Sequence, residues 1–474
     1  MIAEATYADI NRIFTAQQSN KNEVSNTDYK ARIAKLRTLE SGILKHRPAL
    51  KDAMFKDFKK HPQEVDLTEI SMVLSDIRHT ISHLRAWMKD KRVATPITLL
   101  GTSSWIQYEA KGVCLIISPW NYPINLTLCP LVCAIAAGNT VMIKPSEITP
   151  NTSAAMAALI EDIFSENEVA VLQGETNIST ELLTLKFDHI FFTGSPAIGK
   201  IVMRAAAEHL TSITLELGGK SPTVIDETAN LAEAANKVVM GKFINNGQTC
   251  TAPDYLLVHE SVKDAFIKAF KAEVEAFYGK DLAAQKSEES YCRIVSDKQY
   301  QRIKSWTEEA ILNGATVIIG AQYDDNERFI SPTLLENVPY EASLCTQEIF
   351  GPVLPMRTYK HLDEVVKIIN DGEKPLAMYI MSRNEKNIAF LLKNTSAGGT
   401  CINETLLHFA NPNLPFGGVN NSGIGKTHGI FGFEAFSNAR AVMRQHTKYF
   451  AIKMLLPPYK AKKQWLVDLL VKWM

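Results

Sequence analysis

Hydrophobic positions recur at helical spacing in the first part of the chain. Apolar side chains return at steps of three and four residues, which places them on one face of an amphipathic helix, at Ile70, Val73, Leu74, Ile77, Ile81, Leu84 and Trp87. The pattern predicts that residues 28–90 are helical, and Thr95-Pro96 ends it. The alternation from Trp105 to Glu109 then predicts a strand.

From about residue 112, short apolar runs alternate with helical stretches. The first predicted strands are Val113–Ser118, Asn139–Lys144, His189–Thr193 and Ser212–Leu217, with helices at Leu126–Ala137, Thr152–Phe164 and Pro196–His209. A second set after Gly219 has strands at Thr223–Asp226, Tyr255–His259, Thr316–Ile319 and Leu376–Ser382 and helices at Ser261–Tyr278 and Lys298–Asn313. Strands that alternate with helices predict parallel crossover units, so we expect an α/β fold with a doubly wound sheet.

Length and charge exclude several classes of protein. A chain of 474 residues is longer than one hydrophobic core normally serves, so two or three domains are expected. Lys+Arg and Asp+Glu both number 51, and this balance argues against a nucleic-acid partner, whose phosphates require a basic surface. The seven cysteines show no CxxC spacing, which argues against a disulfide framework and a metal site.

We expect a cytoplasmic protein without a transmembrane anchor. The N-terminus has no basic segment followed by an apolar core, the pattern of a secretory signal. No run reaches the roughly 18 apolar residues of a membrane-spanning helix, because Pro119, Pro123 and Pro130 interrupt the apolar region.

The C-terminal residues form a short amphipathic pattern. Apolar side chains at helical spacing follow a group of lysines: Lys460, Lys462, Lys463, then Trp465, Leu466, Leu469, Leu470 and Trp473. A helix over residues 464–474 would be about 16 Å long, too short to cross a hydrocarbon core of about 30 Å. An interfacial helix is one alternative; we favour docking on the enzyme's own surface or on a second subunit.

Cys250 follows the polar loop Asn245-Asn246-Gly247-Gln248-Thr249. An isolated cysteine is more often a small buried hydrophobe than a nucleophile. A polar loop that contains glycine is a poor setting for core packing, however, and it suits a thiol that must be accessible. We therefore interpret Cys250 as a candidate nucleophile.

Glu216 and Asn121 are candidate partners of this cysteine. Glu216 lies between two leucines at the end of a predicted strand, and Gly218-Gly219 beside it permits close approach of the backbone. It is either an exposed carboxylate or, in an apolar setting that raises its pKa, a general base. Asn121, between Pro119-Trp120 and Tyr122-Pro123, is either a turn residue or an amide donor to an oxyanion.

Three further segments do not indicate a function individually, but they do so in combination. Gly194, Ser195 and Gly199 mark a strand that turns into a helix, and the spacing meets neither the GxGxxG nor the P-loop pattern. Free amides at such a helix start can still face a phosphate. Lys144 and Glu147 at a strand end form either a ribose contact or a surface turn, and Glu348-Ile349-Phe350-Gly351-Pro352 has no sharp meaning alone.

Taken in this order, the six segments resemble the aldehyde dehydrogenase superfamily over about residues 30–460. Within it the chain is similar to class 3, the fatty and aromatic aldehyde dehydrogenases. The segments that carry this similarity are Ala252-Pro253-Asp254-Tyr255, Leu414-Pro415-Phe416-Gly417-Gly418, Asn421-Ser422-Gly423, His428-Gly429 and Pro457-Pro458-Tyr459.

The resemblance implies a role for each matching residue. Cys250 would be the nucleophile, Glu216 the general base and Asn121 one half of the oxyanion hole. The cofactor, NAD or NADP, would contact Trp120, Lys144, Glu147, Gly194, Ser195, Gly199, Glu348 and Phe350. The substrate pocket would include Tyr122, Met240, Ile244, Thr249 and His428.

The resemblance also implies the domain organisation and the assembly. A Rossmann-like NAD(P)-binding domain would comprise residues 1–93 and 113–217, and an α/β catalytic domain residues 218–405. The remaining parts would be a small β oligomerisation element with bridging segments and a helical tail, at residues 94–112, 406–450 and 451–474. We expect a homodimer, with Trp105–Glu109 and Ala441–Arg444 in the oligomerisation element.

The implied reaction is NAD(P)-dependent oxidation of an aldehyde, medium- or long-chain aliphatic or aromatic, to the carboxylic acid. It would pass through a thiohemiacetal and a thioester on Cys250, which water activated by Glu216 would hydrolyse, with no metal. One alternative is an acylating enzyme that passes the thioester to coenzyme A, for which Glu216 would be superfluous. Another is a catalytically silent protein of the same fold, for which loss of Cys250 or Asn121 would be expected.

Three positions depart from the family pattern. Asn420 stands where a glycine is common, Lys426 where a small residue is usual, and Met240 where we expect a larger aromatic near the substrate entrance. Met240 weakens any transfer of substrate preference. The choice between NAD and NADP also stays open, because Glu147 would repel a 2′-phosphate whereas Lys144 would tolerate one.

Overall fold

A computed structural model describes residues 4–446, 457–459 and 461–473. Its helices are α1 (Tyr7–Ser25), α2 (Tyr29–Phe58), α3 (Pro62–Val65), α4 (Ser71–Trp87), α5 (Asn125–Ala137), α6 (Pro150–Ile163), α7 (Thr176–Leu182), α8 (Pro196–Glu208), α9 (Leu231–Phe243), α10 (Lys263–Tyr278), α11 (Leu282–Ser287), α12 (Asp297–Leu312), α13 (Ser343–Thr346), α14 (Leu362–Asp371), α15 (Glu385–Asn394), α16 (Gly429–Ala435) and α17 (Gln464–Trp473). Its strands are β1 (Lys91–Val93), β2 (Thr102–Ala110), β3 (Val113–Ile117), β4 (Thr140–Lys144), β5 (Val169–Val171), β6 (His189–Gly194), β7 (Ser212–Leu217), β8 (Pro222–Ile225), β9 (Tyr255–His259), β10 (Thr316–Ile319), β11 (Tyr323–Asp324), β12 (Phe329–Ile330), β13 (Thr333–Glu336), β14 (Val353–Tyr359), β15 (Ala377–Met381), β16 (Gly399–Ile402), β17 (Gly423–Ile424) and β18 (Ser437–Gln445).

The first sheet has six strands in the order β17-β7-β6-β3-β4-β5. All neighbours are parallel except β17, which is antiparallel to β7. Strand β3 is buried on both faces: Cys114 and Ile116 pack with α2, α4, α5 and α6, whereas Val113, Leu115 and Ile117 pack with α1, α7 and α8. Helices on both faces explain why this strand is a continuous apolar run without alternation.

The second sheet has seven strands in the order β10-β13-β14-β9-β8-β15-β16. Only β10 is antiparallel to its neighbour. Strand β9 again divides its side chains, since Leu256 and Val258 pack with α9 and α10 whereas Leu257 packs with α14 and α15. Two mostly parallel sheets covered by helices confirm the predicted α/β class.

The third sheet is small and antiparallel, in the order β1-β2-β18. It pairs Trp105 with Val442 and Ser103 with Arg444, so the two segments expected in the oligomerisation element lie side by side. The boundary predicted at residue 93 needs correction, because β1 pairs with β2 here and not with the first sheet. Strand β17 is a second difference, since it leaves the 406–450 segment and joins the first sheet.

The helical region predicted over residues 28–90 is interrupted. Helix α2 ends at Lys59, whose backbone is left-handed (φ 54°), and Pro62 starts α3. A π-helical turn, Asp66–Ile70, then leads into α4. The sequence pattern did not reveal this break because apolar spacing resumes after it, and it did not reveal α1, whose buried residues are few.

The C-terminal pattern forms helix α17 as predicted, but the helix does not bury its apolar face on the chain's own described residues. Trp465 is 63% exposed and Val471 78%, and no described side chain of α17 is buried. Docking on the chain's own surface is therefore not seen, and docking on a second subunit stays a prediction. Lys460, one of the lysines before this helix, lies outside the described residues.

Candidate active site

A cavity of about 1350 Å³ collects most of the residues singled out in the sequence. It is lined by residues that follow β3, β6 and β7 and by the segments 249–251 and 346–350. The predicted residues on its wall are Trp120, Asn121, Tyr122, Gly194, Ser195, Glu216, Met240, Ile244, Thr249, Cys250, Glu348, Phe350 and His428. Lys144, Glu147 and Gly199 do not line it.

The loop before Cys250 owes its shape to a left-handed turn. Asn245, Asn246 and Gly247 all have positive φ, at 51°, 56° and 73°. A Cβ on Gly247 would lie 2.4 Å from the carbonyl oxygen of Gly351, so only glycine fits there. The buried Gln248 amide donates to the carbonyl oxygens of Asn245 (3.0 Å) and Arg293 (3.1 Å) and accepts from the Val295 amide at 3.0 Å. These bonds present Cys250 in one position on the cavity wall.

The Asn121 amide is held against the same loop. Its Nδ2 donates to the carbonyl oxygen of Gln248 at 3.0 Å, and Asn245 Nδ2 donates to the carbonyl oxygen of Asn121 at 2.9 Å. An amide nitrogen has two hydrogens, so one hydrogen of Asn121 Nδ2 remains available to a second acceptor. Asn121 is buried at 3% exposure and lines the cavity, so that acceptor would be a bound molecule.

Lys60, Glu64 and Glu69 form a buried ion cluster. It contacts the loop before Cys250 and the segment that follows Asn121. Lys60 Nζ lies 3.9 Å from Glu64 Oε1 and 3.6 Å from Glu69 Oε1. The Glu64 carboxylate accepts from the backbone amide of Asn245 (2.9 Å), and that of Glu69 from the amide of Asn125 (2.7 Å). Burial raises the pKa of Glu69 to about 7. This cluster was not anticipated from the sequence. Its only indication there was that three charged residues lie in the segment predicted to be helical.

Glu216 is buried, not exposed. Burial raises the pKa of its carboxyl well above the ordinary value, and the ammonium of Lys426 opposes this rise. Neither carboxylate oxygen has a hydrogen-bond partner among the described residues. Burial of Glu216 and a raised pKa were expected from the apolar strand around it, and the structure shows both; a carboxylate with a raised pKa is a stronger base.

Cys250 is half-buried on the same cavity. Burial raises the pKa of its thiol to about 12, and the negative charges of Glu348 and Glu216 contribute to the rise. A thiol with this pKa is protonated at neutral pH, so a thiolate forms there only with a base or a positive charge close by.

The segment that carries Glu348 and Phe350 faces Trp120. The Phe350 backbone is left-handed (φ 51°), and its ring meets the Trp120 ring edge-on at 5.2 Å. Arg302 fixes the segment because its guanidinium donates to the carbonyl oxygen of Ile349 at 2.8 Å. Burial raises the pKa of Glu348 to about 8, and Asp254 contributes, whereas the Gly219 amide and Lys220 oppose the rise. Arg302 lines the cavity and was not anticipated from the sequence.

The start of α8 lies on the cavity wall. Ser195 caps the helix and Pro196 occupies its first turn, and both line the cavity. Gly199 has a packing reason, since a Cβ there would lie 2.8 Å from Leu217 Cδ2. At the end of β4, buried Lys144 Nζ donates to Glu147 Oε2 (3.1 Å) and to the Pro145 carbonyl oxygen (2.7 Å). These groups are those that recognise phosphates and ribose hydroxyls, so they fit a dinucleotide.

Apolar side chains line much of the remaining wall. They are Leu67, Met72, Leu126, Met240, Ile244, Leu407 and Phe409. Tyr122 OH and Thr249 Oγ1 are hydrogen-bonded at 2.9 Å, and the His428 ring stacks on Phe416 at 5.0 Å. Burial lowers the pKa of His428 to about 4, so this imidazole is neutral at pH 7. Met240 lines the cavity wall, in agreement with its predicted place in the substrate pocket.

The fold is of the kind that binds dinucleotides, and one cavity contains a cysteine, a buried carboxylate and a side-chain amide. This combination defines a class of dehydrogenase that works through a covalent intermediate. Comparison with known proteins names the family. The family model "Aldehyde dehydrogenase family" matches residues 1–442, and the chain belongs to this family. It is an NAD(P)-dependent aldehyde dehydrogenase, which confirms the resemblance stated from the motifs.

Several relatives match almost their whole length. The chain is 42% identical over 461 residues to the 4,4'-diaponeurosporen-aldehyde dehydrogenase of Staphylococcus aureus, covering 97% of each chain. It is 41% identical over 412 residues to aldehyde dehydrogenase family 3 member B1 of Homo sapiens, covering 87% of this chain and 86% of that one. It is 40% identical over 432 residues to the dimeric NADP-preferring aldehyde dehydrogenase of Rattus norvegicus, covering 91% and 94%. The family 3 relative confirms the similarity to class 3.

A solved structure has the same fold over nearly the whole chain. The substrate-bound state of Staphylococcus aureus AldH superposes with a TM-score of 0.92 at 40% identity and covers 97% of this chain and 99% of that chain. The fold that the structure describes is therefore that of a solved aldehyde dehydrogenase.

Substitution of Gly218 tests whether the Glu348 carboxylate must lie close to the backbone at residue 218. A Cβ at residue 218 would lie 2.2 Å from Glu348 Oε2, so we expect Gly218→Ala to displace this carboxylate. The expected result is a folded protein whose kcat/KM for the cofactor falls on the order of 10-fold to 100-fold, because small misplacements cost that much. Gly219→Ala is the control, since the nearest atom to its Cβ is 3.4 Å away. Equal kinetics of the two variants would contradict the expectation.

Proposed function

We propose that the enzyme oxidises its aldehyde through a thioester on Cys250. The arrangement that supports this is one cavity wall with the thiol of Cys250, the spare amide hydrogen of Asn121 and the buried carboxyl of Glu216. The Cys250 thiolate attacks the carbonyl carbon, and Asn121 Nδ2 with the Cys250 backbone N–H binds the oxyanion. An oxyanion donor of this kind contributes roughly 100-fold to 1000-fold in rate.

Glu216 acts in the second half of the reaction. After hydride leaves the thiohemiacetal carbon, the thioester remains, and Glu216 takes a proton from the water that attacks it. The raised pKa of this carboxyl supports the assignment, because a carboxylate with a higher pKa is a stronger base.

The cofactor, NAD or NADP, supplies the hydride acceptor when it is bound. We propose that Ser195 and the amides that start α8 hold the pyrophosphate, with Gly194 and Gly199 shaping the turn. Lys144 and Glu147 are assigned to the ribose, and Glu348, Phe350 and Trp120 to the nicotinamide half. The Lys144–Glu147 ion pair, at 3.1 Å, supports the ribose assignment because it leaves carboxylate lone pairs for hydroxyls.

We propose that the domain division expected from the sequence holds, with the corrections at β1 and β17. The first sheet, with residues 113–217, is the cofactor domain, and the second sheet lies within the catalytic range 218–405. The cavity lies between residues of these two ranges, which supports the division because cofactor and substrate sites commonly lie at domain junctions.

We also propose a cytoplasmic location. Within the described residues, no helix is long and apolar enough to cross a bilayer. The seven cysteines are all free in the structure, which suits a reducing compartment. Cell fractionation tests the proposal.

Cys250→Ala should remove dehydrogenase activity while the protein stays folded and still binds the cofactor. The expected loss of kcat exceeds about 1000-fold, because removal of a nucleophile leaves only residual rate. Cys345→Ala is the matched control, since Cys345 is also half-buried and lines the same cavity. NADH formation by the Cys250 variant at near the wild-type rate would overturn the proposed mechanism.

The substrate is proposed to be a long apolar aldehyde. Leu67 and Leu407 line the cavity and are 62% and 51% exposed, so apolar side chains of the cavity wall also face solvent. Each methylene buried contributes about 0.8 kcal/mol, so kcat/KM should rise with chain length in a series of straight-chain aldehydes assayed with both cofactors. A preference for short polar aldehydes would contradict this.

The enzyme is proposed to be a homodimer assembled through the third sheet. Strand β18 lies at its edge with nine residues and mostly exposed side chains, and such an edge is a template for pairing with another chain. Light scattering at micromolar concentration should give twice the chain mass. A monomer mass under those conditions would refute the assembly.

A further inference from the structure

Lys426 is held against the strand that carries Glu216. Its ammonium donates to the carbonyl oxygens of Gly417 and Gly418, the latter at 3.2 Å. The same loop, residues 416–427, returns to β7: Gly423 pairs with Glu216, and the Leu217 amide donates to the Ser422 carbonyl oxygen at 3.1 Å. The backbone bonds therefore fix where the lysine lies relative to the carboxylate.

Gly417 lies between the two side chains. A Cβ on this residue would be 3.0 Å from Glu216 Oε1 and 3.1 Å from Lys426 Cδ. The carboxylate and the lysine side chain thus both lie close to the same glycine.

Among the described residues, few charges act on Glu216. Lys426 is the cation that lowers the Glu216 pKa, and Cys250 is the other titratable group with which the carboxylate interacts. On the two neighbouring strands, the residues paired with Glu216 are Thr193 and Gly423, and neither titrates. Burial lowers the pKa of Lys426 and Glu216 opposes this, as expected for two opposite charges that interact.

We propose that Lys426 is a positioning residue that keeps Glu216 in its anionic, proton-accepting form during thioester hydrolysis. The inference rests on the proposed role of Glu216 as the base. In that step the water oxygen bonds to the thioester carbon, one water proton moves to Glu216, and the carbon–sulfur bond breaks with its electron pair on Cys250. The carboxylic acid is released, and the loss of the Glu216 proton to solvent restores the base.

The sign of the effect follows from electrostatics. An ammonium close to a carboxyl favours the charged form of the carboxyl and lowers its pKa. Removal of the Lys426 charge raises the pKa of Glu216, so the acidic limb of the acid-release profile moves to higher pH. The first NADH forms before hydrolysis, and its amplitude stays at one per active site.

The experiment compares acid release and NADH formation in single turnovers of the full-length enzyme, from about pH 5.5 to about pH 9. Lys426→Met removes the charge and the donor, Lys426→Gln keeps a donor for the loop carbonyls, and Lys426→Arg keeps the charge. Lys374→Met is the matched control, because Lys374 Nζ donates to Asn420 Oδ1 of the same loop at 2.9 Å and is not among the groups that shift the pKa of Glu216.

We expect Lys426→Met and Lys426→Gln to lower acid release roughly tenfold at the acidic end of the profile and to move its midpoint upward. Lys426→Arg and Lys374→Met should match the wild type. An unchanged midpoint in Lys426→Met, or an equal loss at every pH, would overturn the proposal, because a purely structural clamp gives that result. A shift in Lys426→Arg as large as in Lys426→Met would overturn it too.

The Glu216→Gln variant distinguishes a failure of the proposed role of Lys426 from a failure of the proposed base role of Glu216, on which it rests. The variant should give one burst of NADH and then lose the pH-dependent acid release, since acylation needs the thiol and hydrolysis needs the base. If it keeps the wild-type profile, the base assignment itself is wrong. If it behaves as expected while Lys426→Met does not shift the midpoint, only the role of Lys426 fails.

Discussion

The removal of ionisable side chains from water is the constraint on which this active site depends. A charge that leaves water loses several kcal/mol of solvation unless partners replace it. The buried carboxyls of Glu216 and Glu348 respond with raised pKa values. The pKa values of Glu64 and Glu69 are also raised, although both share the ammonium of Lys60 and accept backbone amides. The same desolvation therefore prepares a base at the cavity and fixes the loops behind it.

The position of the nucleophile follows from backbone geometry more than from its own side chain. The left-handed turn at Asn245–Gly247 needs support because non-glycine residues there are strained. That support comes from Glu64, which accepts the Asn245 amide, and from Gln248, whose side chain is fully bonded. Because Asn121 donates to the Gln248 carbonyl oxygen, its amide is fixed relative to the loop that carries Cys250.

The two large sheets divide the chemistry between them. Parallel strands bring their carboxyl ends to one edge, so the residues after β3, β6 and β7 meet at a single cavity. The second sheet delivers Glu348 and Phe350 to the same cavity, and Arg302 fixes that segment through the Ile349 carbonyl oxygen. Hydride transfer and hydrolysis can thus take place at the same cavity wall. The cofactor-binding part and the apolar part occupy different regions of that wall.

The sequence by itself determined the class of the fold and pointed to Cys250, Glu216 and Asn121 as candidate site residues. Apolar runs such as Val113–Ile117 specify buried parallel strands locally, and the ordered motifs resemble one family. Only the tertiary structure decided which distant groups meet them: Glu69 with the Asn125 amide, β2 with β18, and Lys426 with Glu216. Periodicity reports which face of an element is apolar. It contains no information about contacts between residues far apart in the chain, because packing, not local propensity, selects those pairs.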